Sequence, residues 1–327
     1  MIMNGTVRDG FPEVAPFVRS QSEALQKAGL KVHLGVVDDR TSPHGVLRNI
    51  RRLRREIAYV QPALVHAQYG SVTAAVAGAS RGRRPLVISF CGDDLLGTPI
   101  AGMTWWLRGK AGRAIGIAAA RHASAIIVKS RNLLEALPKE LSSKATILPN
   151  GVDTEFFYPM DLFECRRRLD WPHDAKIVLF NASHGDNAPS KNPELARKVL
   201  MHASSSVPGV TMKIMSNNSQ DEVRLMLNAA DCLLVTSLHE GSPNVVKEAM
   251  ACNLPVVSVD CGDVAERLRA VVPSAVCGYD PQALAREISE VLTRPVRSNG
   301  LEELESQGLS ARAVAQQLIN LYCGVVK

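Results

Sequence analysis

Residues 229–266 read AADCLLVTSLHEGSPNVVKEAMACNLPVVSVDCGDVAE, and this stretch decides the fold. Its apolar run Leu233–Thr236 has the length and composition of a buried strand. A turn over Gly241–Asn244 follows, and Val245–Ala251 then has the pattern of a helix. A second apolar run, Pro255–Val259, comes soon after that helix. A strand, a helix and a strand in this order predict parallel strands in one sheet.

The same alternation runs along the rest of the chain. Further strand-like runs are Lys31–Val37, Leu64–His66, Leu86–Phe90, Ala125–Val128, Thr146–Leu148, Lys176–Phe180, Thr211–Met215 and Ala275–Cys277. Helical patterns in the first half cover Val18–Ala28, Val46–Tyr59, Val72–Ala79 and Thr104–His122. We therefore predict an α/β fold of parallel sheets with helices on both faces.

The segment LPNGVDTEFFYP (residues 148–159) divides the alternation into two series. Its prolines, asparagine and glycine are typical of a connection between units. We predict two Rossmann-like αβα domains, residues 1–152 and residues 153–327, which face each other across a cleft. Glu302–Cys323 has the pattern of two closing helices, which we expect to pack back on the first domain. Ligands of open parallel sheets bind at the carboxyl ends of the strands, so we expect the site there.

The first domain has an unusual start. A doubly wound domain normally opens with a hydrophobic strand, but here only Met1–Met3 precede Asn4 and Gly5. The opening strand is therefore predicted to be short or missing. Its loss from a parallel sheet would leave an exposed edge or a gap.

The composition is that of a globular protein: 327 residues, of which 46% are hydrophobic and 21% are charged. That length is sufficient for two domains, each with its own core. No stretch approaches about 18 uninterrupted apolar residues, so no transmembrane helix is expected. The seven cysteines are scattered, odd in number and without metal-ligand spacing. They indicate free or buried thiols in a reducing cytoplasm.

The formal net charge of +6 is concentrated in VLRNIRRLRREIA (residues 46–58). Apolar residues fall there at helical spacing, and five arginines cover the rest of the helix surface. Two interpretations stay open: a helix that rests on anionic lipid or phosphorylated glycan, and a solvated face beside a core stripe. No aromatic-interleaved basic motif accompanies the charge, so nucleic acid is not an expected partner.

The turn after Leu233–Thr236 brings a helix start close behind a strand. The free N–H groups of a helix start, together with the helix dipole, favour a phosphate. Glu240 lies before this helix and Glu248 lies within it, eight positions further on. In that geometry one carboxylate can reach a sugar and the other a ribose, with a diphosphate between them.

This segment resembles the donor-site signature of the family 4 glycosyltransferases, which are retaining enzymes of the GT-B fold. Their E-x₇-E motif falls on Glu240 and Glu248. LVHAQYG, ISFCGDDLLG and IIVKS resemble stretches of the family's first domain, and ILPNGVDTEFFYP resembles its linker. These matches occur in the family's order and cover most of the chain.

The resemblance implies a nucleotide-sugar donor. Glu240 would contact hydroxyls of the transferred sugar and stabilise an oxocarbenium-like transition state, and Glu248 would hold the ribose hydroxyls. The residues expected to bind diphosphate and sugar are Gly241, Ser242, Pro243, Asn244 and Val245. The leaving group gains negative charge as it departs, and that charge must be met as it develops. Without a metal, a helix N-terminus and a cation can do this.

The cation is predicted to be Lys191, which matches a lysine of the family in the polar loop that follows Lys176–Phe180. In the family this loop usually supplies an arginine as well. Here Ala182, Ser183 and His184 occupy the arginine's stretch. His184 could substitute only when protonated, and an unperturbed imidazole is mostly neutral at pH 7.

On the acceptor side, the resemblance implicates His66, Cys91, Gly92 and Asp93. Cys91 stands where family members often have a histidine, and a thiol does not replace that proton shuttle without a pKa shift. Asp93 and Asp94 are adjacent, unlike the spaced D-x-D that holds a nucleotide-bound metal in other glycosyltransferases. A loop role is favoured for them, and no metal site is predicted.

These features predict a retaining, hexosyltransferase-type glycosyltransferase of polysaccharide biosynthesis that uses a nucleotide diphosphate sugar without metal or cofactor. The expected acceptor is a glycan or a lipid-linked molecule, and the expected location is the cytoplasm, peripheral on the inner membrane face. Four features keep an alternative open: the short or missing opening strand, the missing arginine, Cys91, and Pro16, which stands near the place of the family's usual glycine-rich turn. This alternative is a catalytically impaired relative that binds nucleotide sugar, or a partner protein, without efficient transfer. A nucleotide-sugar epimerase on the same fold fits less well, because the E-x₇-E segment resembles transferases.

Overall fold

The computed structural model describes residues 1–5, 7–8, 11–12, 15–97, 103–182, 189–294 and 296–326. For residues 7–8, 11–12 and 103–106 it describes the backbone alone. The chain divides into two compact units, one of Met1–Gly151 with Ala311–Lys327 and one of Val152–Ser310.

The first unit is built on a parallel sheet. Its strands are β1 (Ile2–Asn4), β2 (Val7–Arg8), β3 (Phe11–Pro12), β4 (Gly35–Val37), β5 (Val65–Gln68), β6 (Leu86–Phe90), β7 (Ala125–Val128) and β8 (Ala145–Ile147). Its helices before the boundary are α1 (Pro16–Lys27), α2 (Pro43–Val60), α3 (Ser71–Ser80), α4 (Asp93–Leu96), α5 (Met103–Arg121), α6 (Arg131–Ala136) and α7 (Lys139–Ser142). Six of the described strands pair in the order β4-β1-β5-β6-β7-β8, while β2 and β3 pair with each other, antiparallel.

The opening strand β1 is short, as predicted, but it lies inside the sheet. Ile2 is in register with Gly35 of β4 on one side and with Ala67 of β5 on the other. Ile2 and Met3 are buried, with 4% and 1% of their surfaces exposed. The prediction that this part of the sheet has an exposed edge or a gap is therefore wrong. Three residues are sufficient because both neighbouring strands pair with them.

The second unit repeats the architecture. Its helices are α8 (Leu162–Arg168), α9 (Pro193–Ser206), α10 (Gln220–Ala229), α11 (Asn244–Ala251), α12 (Val264–Leu268), α13 (Pro281–Thr293) and α14 (Gly300–Ser306). Its strands are β9 (Lys176–Asn181), β10 (Val210–Met215), β11 (Cys232–Val235), β12 (Val256–Val259) and β13 (Ala275–Cys277). The described strands form one parallel sheet in the order β10-β9-β11-β12-β13. The prediction of parallel, Rossmann-like sheets in both halves is confirmed.

The inner strands of both sheets are buried, which accounts for their largely apolar sequences. Every residue of β5, β6, β7, β11 and β12 is buried. A parallel strand is covered by helices on both faces, so its residues are mostly apolar. Polar residues inside these strands, such as His66 and Ser89, are hydrogen-bonded.

The last described helix, α15 (Ala311–Val326), belongs to the first unit. Its residues Val314, Leu318 and Tyr322 share a buried cluster with Leu25 of α1 and Val87 of β6. Across the described residues, no helix is both long and apolar enough to span a membrane.

Candidate functional site

Strand β11 and helix α11 flank the segment that carries the two predicted glutamates. β11 ends at Val235, and α11 begins at Asn244 with Pro243 as its N-cap residue. Proline suits this position because its φ is fixed near helical values and a helix start leaves N–H groups without partners. Val245 and Val246 anchor the first turn in the hydrophobic core of the second unit. We call residues Glu240–Asn244 the motif loop.

Lys191 and Glu240 form an ion pair. The distance from Nζ to Oε1 is 2.5 Å, and the side chains are only 15% and 18% exposed. The backbone around Lys191 is fixed, because the Thr236 hydroxyl donates to the Lys191 carbonyl oxygen at 2.7 Å. The N–H of Leu238 donates to the Ser190 carbonyl oxygen at 2.9 Å. The chain's own hydrogen bonds therefore bring the two predicted catalytic residues together.

A small pocket lies at this ion pair. Its walls include Phe180 and Asn181 at the end of β9, Thr236 after β11, and Pro243 before α11. It thus lies at the carboxyl ends of parallel strands, where open α/β sheets bind their ligands.

Glu248 lies within α11 and is half-buried. Burial raises the pKa of its carboxyl to about 7, and the neighbouring Lys247 opposes that shift. The pocket that Lys191 and Glu240 line does not include Glu248 among its described wall residues. The structure therefore brings the first glutamate of the motif to the cation and leaves the second further along the helix.

Ser242 of the motif loop belongs to a buried polar network. Its hydroxyl donates to Oδ2 of Asp263 at 2.8 Å and accepts from Nζ of Lys247 at 3.0 Å. Nε of Arg267 donates to the same Asp263 oxygen at 2.9 Å. Lys247 is completely buried, and Asp263 and Arg267 are 5% and 7% exposed.

Gly262 brings the backbone before Asp263 against the motif loop. It has a φ of +64°, a conformation that favours glycine. A Cβ added there would lie 2.6 Å from the Gly241 carbonyl oxygen and 3.1 Å from the Glu240 Cβ. Any side chain at position 262 would therefore displace the loop that carries Glu240.

His66 is a core residue of the first unit. It is 1% exposed, and burial lowers its pKa well below the usual value. One ring nitrogen lies 2.6 Å from the Tyr322 hydroxyl and the other 2.8 Å from the Ser89 hydroxyl. Both nitrogens of His66 are therefore occupied, and the ring has almost no free surface.

Cys91, Gly92 and Asp93 follow the end of β6. Burial raises the pKa of the Cys91 thiol to about 12, so it stays protonated at neutral pH. Gly92 is buried with a φ of +155°, and Asp93 is exposed at the start of α4. The structure thus keeps these three together at the carboxyl end of a strand, and Asp93 offers its carboxylate to solvent.

Asp94 organises that loop. Its carboxylate accepts N–H groups of Gly70 at 2.6 Å, Cys91 at 2.9 Å and Gly92 at 2.8 Å. Burial raises its pKa to about 6, although these backbone hydrogen bonds oppose the shift. The loop role favoured from the sequence is confirmed for Asp94.

Two sequence predictions concern other aspects of the site. Ser183 and His184, in the stretch where an arginine was expected, lie outside the described residues. Within the described part of the chain, no group of three His, Cys, Asp or Glu side chains could hold a metal ion.

The two halves match two successive family descriptions. Residues 8–156 match "Glycosyltransferase Family 4", and residues 176–294 match "Glycosyl transferases group 1". The chain belongs to the family 4 glycosyltransferases. A curated relative covers nearly all of it: a protein of Bacillus subtilis (strain 168) named as a teichuronic acid biosynthesis glycosyltransferase, TuaC. That protein is 24% identical over 98% of this chain and 82% of its own length.

Other relatives of this family 4 glycosyltransferase match over shorter stretches. A D-inositol 3-phosphate glycosyltransferase of Catenulispora acidiphila is 27% identical over 58% of this chain and 53% of its own length.

Solved GT-B structures share the fold. Sucrose-phosphate synthase of Thermosynechococcus elongatus superposes with a TM-score of 0.78 at 18% identity, over 99% of this chain and 98% of its own. Anabaena HepE in complex with UDP-glucose superposes with a TM-score of 0.72 at 17% identity, over 99% of both chains. The predicted GT-B fold is confirmed.

Sequence reasoning missed the buried network around Ser242 in this family 4 glycosyltransferase. Lys247, Asp263 and Arg267 were not singled out. One signal was available: Lys247 interrupts the buried face that Val245, Val246 and Ala249 form, and a lysine is almost never fully buried without a partner.

Proposed function

We propose that this glycosyltransferase moves a sugar, with retention of anomeric configuration, from a nucleotide diphosphate sugar to a glycan or lipid-linked acceptor. We propose further that it needs no divalent metal. The observation that carries the proposal is the Lys191–Glu240 contact of 2.5 Å at a pocket beside the start of α11. Lys191 is a cation that suits a departing diphosphate, and Glu240 is a carboxylate that suits a sugar. The two side chains are joined by one hydrogen bond.

The proposed roles of Lys191 and Glu240 follow from the charges that develop during transfer. As the bond from the anomeric carbon to the diphosphate breaks, negative charge grows on the diphosphate and positive charge on the sugar ring. Lys191 supplies one full positive charge, and the start of α11 supplies roughly half of one. Glu240 supplies the opposite charge for the sugar. Fixed charges aimed at the developing ones are usually the largest contribution to catalysis.

The nucleoside is assigned to Glu248 and the diphosphate to the backbone N–H groups of Gly241, Ser242, Asn244 and Val245, since Pro243 has no N–H. Glu248 lies within α11 and is not among the described wall residues of the pocket. An ionised carboxylate accepts hydrogen bonds from two ribose hydroxyls, each stronger than a neutral hydrogen bond. With a pKa of about 7, Glu248 is only partly ionised at neutral pH. Donor affinity is therefore expected to decrease as the pH falls below about 7.

Uridine is the first base to test. The HepE neighbour was solved with UDP-glucose, and TuaC carries teichuronic acid biosynthesis in its name. These likenesses favour a UDP-sugar donor and an acceptor in polysaccharide biosynthesis. On the acceptor side we retain Cys91, Gly92 and Asp93 as neighbours of the acceptor, with Asp93 as the exposed carboxylate among them.

A binding screen followed by one variant tests the proposal. Uridine, guanosine and adenosine diphosphates and their sugars are screened by thermal shift, and transfer is then measured with the donor that binds. We expect one nucleotide class to stabilise the protein and Glu240→Gln to abolish transfer. Binding without turnover on any glycan or lipid-linked acceptor would favour the impaired relative. Stabilisation by none of the nucleotides would refute the proposed function.

We also propose a peripheral contact between α2 and an anionic membrane surface on the cytoplasmic side. Leu47 and Tyr59 are 53% and 90% exposed, and Arg51 and Arg55 are exposed between them at four-residue spacing. Residues four apart share one side of a helix. The opposite side is buried through Gly45, Asn49, Leu53 and Ile57. A stripe of arginines between an aliphatic and an aromatic side chain suits the headgroup region of a bilayer.

Vesicle sedimentation tests this contact. Arg51→Glu with Arg55→Glu is compared with a matched double reversal on the second unit, Lys198→Glu with Arg286→Glu. Each arginine near an anionic surface contributes about 1 kcal/mol, so the α2 variant is expected to lose at least about tenfold in affinity. The vesicles are phosphatidylcholine with and without phosphatidylglycerol. Equal losses in both double variants, or no dependence on phosphatidylglycerol, would contradict the contact.

A further inference from the structure

The Ser242 hydroxyl has a fixed orientation. Lys247 has only donors and an ionised Asp263 has only acceptors, so the Ser242 proton must point to Asp263 and its lone pair to Lys247. Arg267 supports Asp263 at the same oxygen. In the described part of the chain, the other Asp263 oxygen is buried without a hydrogen-bond partner, so Oδ2 carries the carboxylate's contacts.

We propose that Lys247 is a positioning residue for the motif loop: through Ser242 it holds Glu240–Asn244 in the conformation that receives the donor. That the loop receives a sugar donor rests on the proposed function. That Lys247 holds the loop in one conformation rests on the hydrogen-bond network alone. The Lys247 ammonium connects α11 to the loop, and Asp263 connects the loop to the segment after β12. Gly262 supplies the close backbone approach that these contacts require.

The network also restricts how Ser242 can act. Its only proton is committed to Asp263, so its side chain does not donate to a diphosphate. Its contribution to donor binding then comes from its backbone N–H and from the shape of the loop. Ser242 and Lys247 should consequently act as one unit in any measurement of the donor site.

Coupling between substitutions distinguishes positioning from simple stabilisation. Lys247→Met removes the charge and keeps much of the length, and Asp263 still has Arg267 as a partner. Removing one member of a buried ionic network usually destabilises a protein, so the free energy of unfolding is measured for each variant. Ser242→Ala removes only the hydroxyl, so it remains informative if Lys247→Met folds poorly. Lys198→Met is the matched control, because it removes a lysine from an exposed ion pair of α9 in the same unit.

The experiment measures hydrogen exchange of backbone amides 238–246 in the ligand-free protein, and UDP binding by calorimetry. We expect exchange about tenfold faster and UDP affinity about tenfold weaker in Lys247→Met and in Ser242→Ala. The double variant is expected to match either single one within about threefold, because both break the same contact. Lys198→Met is expected to match wild type.

Unchanged exchange in both single variants would overturn the proposal, and so would effects that multiply in the double variant. If wild type binds no nucleoside diphosphate, the proposed function fails while the exchange data still decide the positioning role. If UDP binds but the amides of the loop do not respond, the positioning role fails while the proposed function stands.

Discussion

Glu240→Gln tests whether Lys191 binds the diphosphate while Glu240 stabilises the sugar. The substitution keeps the size of the side chain and removes its charge. In wild type the two groups are 2.5 Å apart and largely buried, so a diphosphate has to share the ammonium with the carboxylate. The amide keeps a hydrogen bond to the charged Lys191 but loses the attraction between opposite charges, which contributes up to about 1 kcal/mol in a partly exposed pair. The amide therefore competes less for Lys191, by up to about 1 kcal/mol.

Nucleotide binding and transfer are expected to respond in opposite directions. The Kd of the nucleoside diphosphate should be unchanged or as much as about fivefold tighter, since Lys191 is released toward the ligand. Transfer should fall by at least about a hundredfold in kcat/KM, the usual cost of removing one charge-stabilising group from an active site.

Calorimetry with the diphosphate and a radiolabelled transfer assay measure the two quantities. Glu194→Gln is the control, because it breaks an exposed ion pair with Lys198 on α9 and leaves the pocket untouched. The reasoning would be refuted if Glu240→Gln weakened nucleotide binding as much as Glu248→Gln does. It would also be refuted if transfer survived the substitution.

Three further predictions follow from the same geometry. Above pH 7, Glu248→Gln is expected to be more stable than wild type by up to about 3 kcal/mol in urea unfolding. The folded protein holds the Glu248 proton more tightly than the unfolded chain, so the free energy of unfolding of wild type decreases as the pH rises from 4.5 to about 7. The difference in stability between Glu248→Gln and wild type should therefore vanish near pH 4.5. Tyr322→Phe leaves a nitrogen of buried His66 without its partner and is expected to destabilise the first unit by about 1–3 kcal/mol, with an unchanged acceptor KM. Turnover is expected to persist in excess chelator and to fall with Lys191→Ala; activity that disappears with chelator and returns with Mg²⁺ would refute the metal-free proposal.

The strands were largely predictable because burial on both faces leaves a continuous apolar run. Leu86–Phe90, Ala125–Val128 and Ala275–Cys277 have the predicted bounds, and the strand predicted over Leu233–Thr236 lies one residue earlier, at Cys232–Val235. The strand predicted over Lys31–Val37 is regular only from Gly35, since it forms the sheet edge and residues 31–34 alternate between exposed and half-buried. The place of β1 in the sheet was not predictable, because its pairing depends on residues far along the chain.

The parts of the site formed by residues close together in sequence were predictable. The parts that depend on contacts between residues far apart in sequence were not. The loop before α11 followed from local turn and helix patterns. The contact of His66 with Tyr322 joins residues 256 positions apart, which no local pattern reveals. The same limit applies to Lys247: its burial was visible only as a charge on an apolar face. Asp263, which shares the Ser242 hydroxyl with it, follows a different strand.

The contribution of α15 to the first unit has a consequence for biosynthesis. Val87 of β6 and Leu25 of α1 share their buried cluster with α15, which the ribosome makes only after the whole second unit. The second unit is contiguous in sequence and can fold as it emerges. The first unit has to wait with an apolar sheet face uncovered until the last helix arrives, so a nascent or truncated chain is the form most exposed to aggregation and to chaperone capture.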